Sequence, residues 1–119
     1  MSAAATNLVS ELTQRGETLS FCESLTAGLA SATVASVPGA SAVLRGGLIT
    51  YATEVKSHFL RQPVADIEAA GVVSGDTALA MARAAVAETD ADWGIGLTGV
   101  AGPDPVSYTH LTLPTTPYV

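Results

Sequence analysis

The chain has 119 residues, room for one domain, and its 48% hydrophobic and 5% aromatic content requires a core built from Ala, Val, Leu and Ile. Five basic residues stand against 11 acidic ones, a net charge of −6, and Arg15, Arg45, Lys56, Arg61 and Arg83 are scattered. No cluster can neutralise successive phosphates, so nucleic acid is not an expected partner. The one cysteine, Cys22, excludes an internal disulfide, and no Cys/His cluster suggests a metal site.

The first five residues lack a basic region followed by an apolar stretch, so no signal peptide is expected. Apolar runs are broken by charge or Gly well short of a membrane span, and the expected location is the cytoplasm, with no membrane partner. Leu8, Val9 and Leu12 share a helical face that Gly16 ends. Residues 18–22 (TLSFC) alternate as a strand does, and a helix of small residues is expected over 25–36, closed by Val37-Pro38-Gly39. Residues 43–52 (VLRGGLITYA) predict a second strand, with Gly46-Gly47 marking a bulge or a close approach. A short helix over 53–60 and another from Pro63 to near Gly71 follow. Ser74 is the expected N-cap of a helix over 75–88, with Asp76 favourable in its first turn. Residues 92–98 predict a third strand and 99–103 a turn. Strands alternating with helices indicate an α/β layered fold.

Residues 107–119 (SYTHLTLPTTPYV) carry no charge, two prolines and no clear period. They resemble translated read-through of adapter DNA. The expectation is a domain over 1–106 followed by a non-native tail that forms neither a buried strand nor a helix.

Three segments could carry chemistry. In Glu23-Ser24-Leu25-Thr26-Ala27-Gly28, a serine at a strand-to-helix turn lies beside N–H groups able to stabilise an oxyanion, although this segment by itself favours Ser24 or Thr26 as a plain helix cap. A nucleophilic serine needs a base. Lys56, the single lysine, qualifies if burial lowers its pKa, and His58 is the alternative. Tyr51 could donate a hydrogen bond to Ser24, Lys56 or substrate. The third segment, Thr98-Gly99-Val100-Ala101-Gly102-Pro103, follows a strand at the edge where open α/β sheets bind ligands.

Taken in order, ESLTAG, PGASAVLRGGLITYATEVK, GVVS and TGVAGPD resemble the CinA C-terminal family, over about residues 8–104. The resemblance implies a three-layer α/β/α sandwich, commonly a homodimer, that needs no metal or other cofactor. It also implies hydrolysis of the carboxamide of a small nucleotide, nicotinamide mononucleotide, to the acid and ammonia, within pyridine nucleotide salvage. It carries the nucleophile onto Ser24, with Lys56 and Tyr51 as polar partners. Substrate binding falls to Thr26, Ala27, Gly28, Gly46, Thr98, Gly99, Ala101 and Gly102. A non-catalytic nucleotide-binding module, or a serine amidohydrolase for another small amide, are the alternatives.

Two departures stand out. Ala27-Gly28 replaces the usual Gly-Gly, with the alanine expected in a helical first turn, where its methyl is tolerable. The family pattern also stops near 104–106, before a glycine-rich loop, a strand and a closing helix. The chain is therefore expected to be an incomplete domain of little or no activity.

Overall fold

The computed structural model describes residues 2–100 and 106–112. Helix α1 (Ala3–Arg15) opens where the Ser2 hydroxyl accepts the N–H of Ala5, and closes at Gly16 in the left-handed region at φ 65°. Strand β1 (Leu19–Glu23) follows and is buried along its whole length. Residues 24–28 then form a turn, and α2 (Leu29–Ala35) begins four residues later than the sequence suggests. The cause is local: Ala27 and Gly28 have φ values of 51° and 103°, which no right-handed helix accommodates. Ala27 thus does not sit in a helical first turn.

The remaining elements are β2 (Leu44–Ile49), α3 (Thr53–Leu60), α4 (Val64–Ala70), α5 (Gly75–Thr89), β3 (Trp93–Val100) and β4 (Val106–Thr112). The Ser74 hydroxyl accepts the N–H of Thr77 and caps α5 as expected. The four strands lie in the order β2-β1-β3-β4. Strand β1 is parallel to both neighbours, whereas β4 runs antiparallel to β3. Leu19 pairs with Leu44 but Ser20 with Gly46, so the irregularity in β2 falls at Arg45.

Alternation along β1 divides the core between the two faces of the sheet. Leu19 and Phe21 pack with Val9, Leu12 and Val34 from α1 and α2, while Cys22 packs with Met81 and Ala85 of α5. Helices α3 and α4 join α5 on that second face. The result is a three-layer α/β/α sandwich, as the resemblance implies. On the α5 face the approach is backbone to backbone. A Cβ on Gly94 would collide with the carbonyl oxygen of Ala82, and one on Gly96 with that of Ala78.

Residues 107–112, expected to form neither a buried strand nor a helix, belong to strand β4. Its register runs from Gly94↔Thr112 to Val100↔Val106, and it occupies the outer edge of β3. Tyr108, Thr109 and Thr112 suit an edge strand, and the two prolines counted against one, Pro114 and Pro117, lie beyond its end. Among the described residues no helix is long and apolar enough to cross a membrane, and no three His, Cys, Asp or Glu residues are grouped to hold a metal ion.

Candidate active site

Parallel strands place their carboxyl ends on one edge of the sheet, and the candidate residues gather there. Ser24 directly follows β1; its N–H donates to Leu97 O in β3 at 3.1 Å, and the N–H of Thr50, just past β2, donates to Glu23 O at 2.7 Å. Helix α3 starts at Thr53, so its first turn returns Lys56 toward the end of β1. Lys56 is 1% exposed and Ser24 6%. The Lys56 Nζ donates to Ser24 Oγ at 2.7 Å, to Thr50 O at 2.7 Å and to Tyr51 O at 3.3 Å.

That geometry decides what Lys56 can do. Burial pushes its ammonium below the ordinary lysine value, and a nearby Cys22 thiolate would only partly oppose that. Once neutral, the amine keeps two N–H bonds, enough for the two backbone carbonyls. Its lone pair then faces the Ser24 hydroxyl, the arrangement a general base requires. Cys22 is fully buried, and burial pushes its thiol up to about 11, so it stays a neutral packing group beside Thr50 Oγ1, 3.7 Å away. His58 is exposed on α3 with its ring against Phe59. Of the two candidate bases, the fold brings Lys56 to Ser24 and leaves His58 apart from it.

Glu23 is the residue that sequence reasoning missed. It is fully buried at the end of β1 and accepts five hydrogen bonds. Oε1 accepts from Thr26 Oγ1 (2.6 Å), Gly28 N (3.1 Å) and Ala30 N (3.0 Å). Oε2 accepts from Ser31 N (2.8 Å) and Ser31 Oγ (2.6 Å). Burial alone would raise its pKa, but the bonds from Ser31, Thr26 and Ala30 outweigh that and hold the carboxyl below its ordinary value. A signal was there: a carboxylate continuing the run Leu19-Ser20-Phe21-Cys22 must find partners if it is buried.

Several expected binding residues are thereby reassigned. The N–H groups at the start of α2, expected to hold an oxyanion, are already used: that of Leu29 by Thr26 O, and those of Ala30 and Ser31 by Glu23. The Thr26 hydroxyl turns inward to the same carboxylate, and the Gly28 N–H does too. Gly28 is needed for its left-handed φ and because a Cβ would press on Ile49 Cδ1 at 3.2 Å. Ala27 is exposed on the turn. Among the described residues the amides of Leu25 and Thr26 have no acceptor.

Tyr51 reaches Lys56 through its backbone carbonyl, while its side chain is 65% exposed and its phenol has no hydrogen bond among the described residues. Of the three acceptors expected for its phenol, Ser24 and Lys56 are not reached. Gly46 pairs with Ser20, four residues before Ser24 on β1, or roughly 13 Å away at the strand rise, and does not line the site. Thr98 is buried beside the Ser24 strand, but its hydroxyl donates to Val72 O at 3.0 Å. Gly99 belongs to β3 and pairs with Ser107, so it is strand and not turn. Ala101 and Gly102 lie outside the described residues.

Fold and site together define a class: a three-layer α/β domain with a buried Ser–Lys pair at the carboxyl edge of a parallel sheet. The comparisons with known proteins narrow it. The model of the CinA C-terminal domain matches residues 1–110. A relative from Streptococcus pneumoniae (strain ATCC 700669 / Spain 23F-1), provisionally named competence-damage inducible protein, is 51% identical over 100 residues, covering 84% of this chain and 24% of its own. The chain thus spans about a quarter of the curated relatives it matches. The crystal structure of the competence/damage inducible protein CihA from Agrobacterium tumefaciens superposes with a TM-score of 0.88 at 28% identity, over 97% of this chain and 74% of that one. The competence damage-inducible protein A from Klebsiella pneumoniae (subsp. pneumoniae MGH 78578) shares the fold, with a TM-score of 0.80 at 21% identity over 92% of this chain and 79% of its own. The chain belongs to the CinA C-terminal domain family.

Proposed function

We propose that this domain is a nicotinamide-nucleotide amidohydrolase, converting the carboxamide of nicotinamide mononucleotide to the carboxylate with release of ammonia. The substrate class rests on the family resemblance. The observation that carries the chemistry is the 2.7 Å contact between Lys56 Nζ and Ser24 Oγ in a buried setting.

In this reading Ser24 Oγ attacks the carboxamide carbon while its proton passes to neutral Lys56. The tetrahedral intermediate collapses as the Lys56 ammonium returns that proton to the leaving nitrogen, and ammonia departs. Water then attacks the acyl-Ser24 ester with Lys56 again taking a proton. Lys56 returns that proton to Ser24 Oγ as the acid leaves, so Ser24 and the neutral amine are both restored. Thr50 O and Tyr51 O keep the amine oriented through both half-reactions.

Ammonia release from nicotinamide mononucleotide tests the reading, using this chain and a version lengthened at its C-terminus to the size of the Agrobacterium structure. Ser24→Ala should lower turnover by about 10³-fold or more in a protein that still folds, the residue arising from binding and oxyanion contacts. Turnover within threefold of wild type in a folded Ser24→Ala protein would overturn it.

A further inference from the structure

Glu23 holds a position that the dyad mechanism leaves unused. A carboxylate with no exposed surface sits one residue before the candidate nucleophile, and all five of its partners come from the 24–28 turn and the start of α2. Three of those partners are backbone amides and cannot reverse their direction. They therefore fix the path of the chain immediately after Ser24. The same bonds remove from use the helix-start amides that would otherwise receive a developing negative charge. The amides left without an acceptor among the described residues are those of Leu25 and Thr26, one and two positions after Ser24. The amide directly following a nucleophilic serine is a recurrent oxyanion donor in hydrolases, because attack brings the carbonyl oxygen close to it.

We propose that Glu23 is a positioning residue for the reaction: by holding the amides of Gly28, Ala30 and Ser31 it fixes the 24–28 turn and leaves the N–H groups of Leu25 and Thr26 to receive the substrate's carbonyl oxygen. This deepens the amidase reading and rests on Ser24 as nucleophile. Glu23 touches no substrate; it acts through the backbone it holds. Replacing it by Gln keeps the shape but sets an amide NH2 against backbone N–H donors whichever way the side chain turns. The turn must shift to relieve that conflict. Binding of the ground state should survive, whereas the fit to the oxyanion should not, so kcat carries the loss.

Two readouts are measured on the same proteins: kcat and KM for ammonia release from nicotinamide mononucleotide, and the rate at which a small alkyl fluorophosphonate labels Ser24. In the second reaction Ser24 Oγ bonds to phosphorus, fluoride leaves, the hydroxyl proton goes to Lys56, and the phosphoryl oxygen needs the same donors. Glu23→Gln should lower kcat and the labelling rate by about 10²-fold, with KM within about threefold. Ser31→Ala, which removes one hydroxyl from Oε2 and leaves the carboxylate, should lower both by about tenfold at an unchanged melting temperature. Should Glu23→Gln fail to fold, Ser31→Ala decides. Wild-type rates in the folded variants overturn the proposal, as does a loss confined to KM. A wild-type protein that is labelled at Ser24 yet releases no ammonia defeats the choice of substrate, and the labelling rates still judge Glu23. A wild type that does neither defeats the nucleophile and this proposal with it.

Discussion

Ala27 offers a test of the backbone independent of any substrate. It sits at φ 51°, a conformation that costs a residue with a Cβ about 1–2 kcal/mol. Glycine adopts it freely but loses about 0.5–1 kcal/mol more chain entropy on folding. Since Ala27 is exposed, its methyl buries little that Ala27→Gly would forfeit. The net expectation is a gain of about 0.5–1 kcal/mol. Unfolding entropy near 2.1 cal/mol/K per residue gives a chain of this length about 0.25 kcal/mol per degree, so the melting temperature should rise by about 2–4 °C. Differential scanning calorimetry of both proteins under identical conditions measures it. An unchanged or lowered melting temperature would refute the reasoning, because it would mean the turn does not hold residue 27 in the left-handed region.

Lys56→Met should lower ammonia release by about 10²–10⁴-fold, and in the wild type kcat/KM should rise with pH through a value below 10.5, where the buried amine loses its proton; a limb at or above 10.5 would contradict the site. The same shift has a sign in stability. Between the depressed folded value and 10.5 the unfolded chain holds a proton that the folded one has released, so urea unfolding of the wild type should show stability rising with pH over that window, and Lys56→Met should lack the rise. Gly96→Ala should destabilise the fold by about 3 kcal/mol or abolish folding, since its Cβ meets the backbone of α5 and not a yielding side chain; a loss under about 1 kcal/mol in the same urea titration would contradict the close packing.

What the sequence made legible followed from local chemistry. Gly16, Pro63 and Ser74 are local signals, and α1, α4 and α5 lie close to where those signals put them. Ser24 and Lys56 were readable as reactive residue types, but nothing in a sequence states that α3 folds back to set them 2.7 Å apart. The start of α2 was misjudged because small residues fit a turn as well as a helix, and the five bonds to Glu23 decide in favour of the turn. Tyr51 illustrates a different limit. Its position mattered, but through a carbonyl that every residue carries, while its side chain faces solvent. Gly46 was assigned to substrate binding through the family resemblance alone, yet its register with Ser20 sets it far down the strand. Strand β4 was hidden by neighbouring prolines that lie just outside its span.

The central place of β1 also governs the order in which the site can be assembled during synthesis. Strand β1 can pair with β2, and Lys56 can fold toward Ser24, once the first half of the chain has emerged. The acceptor for the Ser24 amide, Leu97, arrives about forty residues after Lys56, a delay of roughly 2–8 s at about 5–20 residues per second. Until then the second side of β1 is unpaired, and a strand buried along its whole length in the finished fold lies open along that side. The nascent chain thus carries its dyad before it carries the strand that shelters it. Slow translation between α3 and β3 would prolong the interval in which that side of β1 is open to pairing with other chains.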